Sequence, residues 1–202
     1  MSLESGSTKP RRSQIDRELL RAGADLILNA IEGGKRREGT ERTAERIARD
    51  WPELFEGYNY DVEDILNRTF DAEGYDEMII REEIRVDSFC EHHILPFTGL
   101  AWVGYIPGEN ILGLDKIDKL VQMYSHRLQN QERLTQQIAN TLWTAINPKG
   151  VMVVLRCEHD CMKLRGIRSE RGLTTTSAVR GVFKEDLDVR EEFLRLISRG
   201  KG

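Results

Sequence analysis

The chain has little of what membrane, secreted and low-complexity proteins carry. Cysteine is scarce, 3 in 202 residues. A small, odd set makes a poor disulfide framework and a better metal or thiol set, which points to the cytoplasm. No apolar run approaches the roughly 20 residues of a bilayer-spanning helix, so no membrane partner is expected. No charged-then-apolar leader opens the chain, so no secretory signal is expected. Proline is sparse at 5, and the 17 glycines fall in no repeat, which excludes collagen-like and low-complexity chains. An excess of positive charge is also missing. Thirty basic against 34 acidic residues leave a net charge of −4, so a nucleic-acid-coating role has no electrostatic support. Any anionic ligand must be held by a local basic cluster.

What remains is 39% apolar and 32% charged, a globular composition of one domain, with or without a helical appendage. Residues 1–12 are polar and aperiodic, and read as a flexible tail. Ser13 is positioned to cap a helix whose apolar stripe is Ile15, Leu19, Ala22, Leu26 and Ala30, stopped by Gly33 and Gly34. A second helix carries Ala44, Ile47, Ala48, Trp51, Leu54 and Phe55 and ends at Gly57. Asp61 can cap a short third turn through Ile65 and Leu66.

The pattern changes near residue 76. Ile80, Ile84 and Val86 share one strand parity, as do Leu100, Trp102, Gly104 and Ile106. Two helices follow, one from about Asp115 and one ending before Pro148. VMVVLRCEH and LTTTSAVRGVF read as strands, and DVREEFLRLI as a closing helix. This order predicts an α+β fold with a mainly antiparallel sheet and paired helices. An N-terminal helical region over 13–75 precedes a sheet-bearing domain over 76–202.

The densest chemistry is Cys90-Glu91-His92-His93, answered far along the chain by His159-Asp160-Cys161. Thiolate plus imidazole is the donor set that suits Zn²⁺. Cys90 and His93 are three apart, so one tight turn brings them to the same side. His159 and Cys161 are two apart and on a strand face the same way. If the segments meet, Cys90, His93 and Cys161 can hold a metal, with His159 beside it and His92 emerging in another direction. Three readings stand. The residues are ordinary buried polar groups; or the site is a closed structural one with His159 as fourth ligand; or the fourth position is open to water. In the open case a metal lowers the water's pKa towards about 7, and the spare histidines are proton-transfer groups. Cys157 shares their strand parity, and packing explains it.

Lys116 and Lys119 share a face at a helix start that favours an anion, with Asp115 as a potential N-cap. Arg165, Arg46 and Arg49 are further cations that together can offset a polyphosphate. Glu132 can accept the two hydrogen bonds that a guanine edge donates, with Gln131 reading the other polar atoms. Glu132 is equally a helix-start acid stabilising the dipole.

CEHHILPF, GLDKIDKLVQMYSHRLQNQERLTQQIA, EHDCMKLRGIR, TTTSAVRGVF and REEFLRLI, in this order, together resemble the zinc-dependent GTP cyclohydrolase I family. RTAERIARDWPELFEGY resembles its N-terminal helix. The resemblance implies a tunnelling T-fold, catalytic over 76–202, in pentamers stacked to decamers with active sites between subunits. It implies hydrolysis of GTP at purine C8 to formate and 7,8-dihydroneopterin triphosphate. Cys90, His93 and Cys161 match the zinc ligands. His92 and His159 match the proton-transfer histidines, His159 towards N7 and His92 towards the ribose ring oxygen. Gln131 and Glu132 match the guanine-reading pair. Arg49, Lys116, Lys119 and Arg165 match phosphate contacts, with Arg46 nearby.

Four positions depart from that family's pattern. Asp115 replaces a Ser, Lys119 an Arg, Asn130 an apolar residue and Ala44 a Pro. Lys119 keeps the charge without the bidentate fork, and a carboxylate at Asp115 repels a triphosphate unless it is turned away or bridged. A paralogous activity on another guanine nucleotide, or a non-catalytic zinc-stabilised nucleotide-binding oligomer, are the alternatives the residues leave open.

Overall fold

The computed structural model describes residues 15–169 and 172–198. The expected tail over 1–12 and the expected cap Ser13 lie outside the described residues. Helix α1 (Arg17–Glu32) is capped instead by Asp16, whose Oδ1 accepts from the backbone N–H groups of Glu18 and Leu19 at 3.0 Å. Gly33, left-handed at φ 63°, ends it, as its lack of a Cβ allows. Helix α2 (Thr43–Leu54) packs on α1. This pairing corrects the expected stripe. Ala24 is the buried residue of α1, whereas Leu19 and Leu26 are 71% exposed. A two-helix contact covers only a narrow strip, and its small residues permit the closest approach.

Gly57 then fits where no side chain can. A Cβ there would lie 2.1 Å from the Met123 carbonyl oxygen and 2.7 Å from that of His126. Asp61 starts the short helix α3 (Val62–Ile65), with a reciprocal capping contact to Asp64.

Strand β1 (Thr69–Asp71) is followed by β2 (Ile79–Cys90), β3 (Pro96–Ile106) and β4 (Asn110–Leu112). Next come α4 (Leu114–Ser125), β5 (Leu128–Gln129), α5 (Gln131–Ile146), β6 (Gly150–His159), α6 (Asp160–Lys163), β7 (Leu173–Gly181), α7 (Val182–Glu185) and α8 (Leu187–Ser198). The main sheet has the order β5-β2-β3-β6-β7, antiparallel apart from the β2–β5 pair, and β1 pairs with β4. The α+β class and its paired helices are as the sequence predicts.

Both faces of the central strands are covered. Val86, Phe97, Ala101, Val103, Tyr105, Val153 and Leu155 form one core with Ile117, Leu120, Leu134, Ile138 and Leu142 of α4 and α5. Trp102, Met152 and Val154 form another with Phe183, Phe193 and Ile197 of α7 and α8. Double burial explains why β6 reads as a continuous apolar run rather than an alternation.

Three strand readings need correction. The register slips by one residue between Arg81 and Ile84, where Glu83 adopts φ 54°. This bulge turns Ile80 to the α8 side while Ile84 and Val86 face α4 and α5, so the three do not share a face. The last strand stops at Gly181, and Val182 and Phe183 belong to α7. Cys161 lies in α6 and not on a strand, because β6 ends at His159. Among the described residues no helix is long and apolar enough to cross a membrane.

Candidate functional site

Strand β2 runs into a tight turn at Cys90. The Cys90 N–H donates to the Leu95 carbonyl at 2.8 Å, and the Ile94 N–H to the Cys90 carbonyl at 2.8 Å. Ile94, at φ 55°, takes the left-handed conformation that closes the turn. The Cys90 thiol is buried, while His92, His93 and Ile94 project outward. The short helix α6 brings Cys161 to the same place. One ligand atom from each of Cys90, His93 and Cys161 lies within 4.8 Å of the other two. Cys90 Sγ is 4.0 Å from His93 Nδ1 and 3.5 Å from His92 Nδ1.

The donor set fits a divalent cation. Bonds of about 2.0–2.3 Å to nitrogen and sulfur place ligand atoms only slightly closer together than these are. Burial and the neighbouring Cys90 thiol push the Cys161 thiol up. A bound cation favours the thiolate form of the sulfurs that hold it. Cys157, by contrast, is fully buried in the core and its thiol is pushed up to about 12 by desolvation, as the packing reading requires.

His159 ends β6 opposite Phe97 of β3. Its Nδ1 is buried and has no hydrogen-bond partner. Burial lowers the pKa of the imidazole, against the pull of the nearby Glu132 carboxylate. Glu132 is exposed in the first turn of α5, within electrostatic reach of His159. Arg165 Nη1 lies 2.6 Å from His93 Nε2. Cys90, His92, His93, Cys161 and Arg165 thus gather at one end of the sheet.

Gln131 is not presented to a ligand in the way its neighbour is. It is 2% exposed, and its Nε2 donates to the carbonyls of Leu155 and Thr174 and to Thr176 Oγ1. Its Oε1 is buried and unpartnered. Asn130 caps α5, accepting from the Arg133 N–H at 2.8 Å. Its Nδ2 donates to Glu91 Oε1 at 3.0 Å.

The other basic residues stand elsewhere in the chain. Helix α4 is capped by Gly113 with no side-chain cap, so Asp115 is not the N-cap; it pairs instead with Lys119 at 2.8 Å. Lys116 Nζ donates to Asn67 Oδ1 at 3.3 Å. Asp118, one residue past the first turn of α4, is bound in a fork by Arg81, near the start of β2. Cys90 ends that strand nine residues later, roughly 25–30 Å away at about 3.3 Å per residue. Arg46 and Arg49 are exposed on α2, and Arg49 is paired with Asp50.

Sequence reading missed the Glu91 contacts with Asn130 and Arg133, and the Phe97 ring against His159. Asn130 directly before an amphipathic run was a legible cap signal; the pairings across about 40 and 60 residues had no local signal.

A family model described as GTP cyclohydrolase I matches residues 20–198. The GTP cyclohydrolase 1 of Mycobacterium tuberculosis (strain ATCC 25618 / H37Rv) is 44% identical over 199 residues, 98% of this chain and 98% of that one. Those of Synechococcus sp. (strain JA-3-3Ab) and Pelagibacter ubique (strain HTCC1062) are each 46% identical. They cover 87% and 81% of this chain, and 77% and 81% of their own. The sheet backed by paired helices is the T-fold that the resemblance implied. With the match spanning both the helical region and the cysteine–histidine cluster, the chain belongs to the GTP cyclohydrolase I family.

Proposed function

We propose that the protein hydrolyses GTP at purine C8, releasing formate and, after rearrangement, 7,8-dihydroneopterin triphosphate. The convergence of Cys90, His93 and Cys161 beside two histidines, in a chain of this family, carries the reading. Zn²⁺ is the ion this sulfur and imidazole set suits best. Held there, it supplies Lewis acidity and brings the pKa of water towards about 7.

The chain's own groups do the rest. Glu132 accepts from N1–H and the 2-amino group of guanine, which sets the ring's orientation. Gln131 is buried with its amide nitrogen engaged, so base reading rests first on Glu132. His159, close to Glu132, delivers a proton to N7 as C8 accepts oxygen, which relieves the charge that builds on the imidazole ring. His92, exposed at the turn, moves a proton at the ribose ring oxygen when the sugar opens. Arg165 supplies positive charge at the metal side.

Lys116 and Lys119, with Arg46 and Arg49, are assigned to the triphosphate from a neighbouring subunit. The support is the length of β2 that separates Arg81 and Asp118 from Cys90 within one chain. The assembly is then a homo-oligomer, a pentamer or decamer, with sites shared between subunits. The test is incubation of apo and zinc-loaded protein with GTP, GMP and guanosine. Zinc-dependent formate release, with pterin fluorescence after oxidation, is expected from GTP. A zinc-loaded protein that releases no formate overturns the reading.

A further inference from the structure

The turn that carries His93 is exposed and hangs from the end of β2, so something must hold it against Cys161. Its one long acidic side chain, Glu91, points to α5. Asn130 Nδ2 donates to Glu91 Oε1 at 3.0 Å, and Arg133 donates to Glu91 Oε1 at 3.3 Å and to Oε2. Arg133 Nε also donates to Gln129 Oε1 at 3.0 Å. Gln129 is itself buried, and its Nε2 donates to the Tyr124 carbonyl and to Gln137 Oε1. The Glu91 N–H donates to the Gln129 carbonyl at 2.9 Å. The network therefore runs from the turn into the body of the protein. It meets α5 at the residues on either side of Gln131 and Glu132. Asn130 serves both ends, since its Oδ1 caps α5 while its amide nitrogen binds Glu91.

We propose that Asn130 and Arg133, acting through Glu91, are positioning residues that hold the Cys90–His93 turn in register with the start of α5. This rests on the reading of Cys90, His93 and Cys161 as metal ligands and of Glu132 as the base reader. An isolated exposed ion pair contributes little to stability. The consequence of this one is geometric, because groups behind the ligands set ligand orientation and commonly change metal affinity or activity by 10- to 100-fold.

Asn130→Asp separates positioning from folding. Aspartate caps a helix as well as asparagine, but it places a second carboxylate against Glu91. Zinc affinity, measured by chelator competition, is expected to fall about tenfold. kcat for GTP falls with it, while the Tm of the metal-free protein stays within about 2 °C, less than the shift from 1 kcal/mol. Glu91→Gln in the Asn130→Asp background restores a donor facing an acceptor, and zinc affinity is expected to return to within about threefold of wild type, a coupling that neighbouring residues show and independent ones do not.

Zinc affinity unchanged in Asn130→Asp overturns the proposal. A double variant no better than the weaker single one does so too, as does a loss of zinc affinity matched by loss of metal-free stability. Failure of the underlying reading looks different: wild-type protein itself then binds no zinc or yields no formate.

Discussion

The ring of Phe97 stacks on the imidazole of His159, with centroids 4.8 Å apart and planes within 9°. The two residues are direct partners in the β3–β6 register, and Phe97 is buried. Stacking therefore helps to fix the plane of the imidazole, alongside its backbone hydrogen bond to Cys157. Phe97→Leu keeps an apolar core residue and removes the flat face. Stability is expected to fall by about 1–2 kcal/mol, a Tm loss of a few degrees for a chain of this size. Turnover should fall about tenfold, with zinc content unchanged by metal analysis. Full turnover in a destabilised Phe97→Leu protein would show that the stack is packing alone.

His159 and Cys161 are two residues apart but are assigned different work. His159→Ala is expected to retain zinc and lose about 10²-fold or more in turnover, as for loss of a general acid. Cys161→Ser should lose both zinc and turnover. Zinc stoichiometry with formate release on the two variants checks the division. Loss of zinc from His159→Ala would make it a fourth ligand and the site a closed structural one.

How much of this was legible depends on the distance over which each signal acts. The clustering of Cys90, His93 and Cys161 could be read because three donors of one chemistry crowd two short segments. Cys161 reaches Cys90 from a helical turn and not along a strand, a difference that a two-residue spacing from His159 does not reveal. The bulge in β2 was hidden because Glu82 and Glu83 look like ordinary exposed strand positions. The slip shows only when the strand is paired with β3. The α1 stripe was misread because its sequence offers more apolar surface than one neighbouring helix can cover. Asn130 was legible as a cap, but its tie to Glu91 across 39 residues was not.

Gly104 tests the fold apart from the chemistry. A Cβ on it would lie 2.6 Å from the ring of Phe193, which is fully buried against the sheet from α8. The strand tolerates glycine here because the ring occupies the space of a side chain. Gly104→Ala is expected to destabilise by about 1–3 kcal/mol through overpacking, read as a lower denaturation midpoint. Zinc content per folded chain should not change, since the cysteine–histidine cluster lies beyond the other end of β3. An unchanged midpoint would mean that α8 is held loosely.

The separation of Lys116 and Lys119 from Cys161 gives the sharpest test of where the site is completed. If both sets serve one substrate, and α4 of one chain faces the cysteine cluster of another, two inactive variants can repair each other. Lys116→Ala/Lys119→Ala lacks the phosphate contacts, and Cys161→Ser lacks the metal. Each alone should show almost no formate release. Mixed one to one and reassembled, a site is competent when one chain brings intact cysteines and its neighbour intact lysines. In a closed homo-oligomer with random assembly that holds for about a quarter of the sites. Sites contained within single chains recover nothing, because no chain in the mixture is intact. Formate release near a quarter of wild type is expected, and a mixture no more active than its components would place the whole site in one chain or remove the lysines from it.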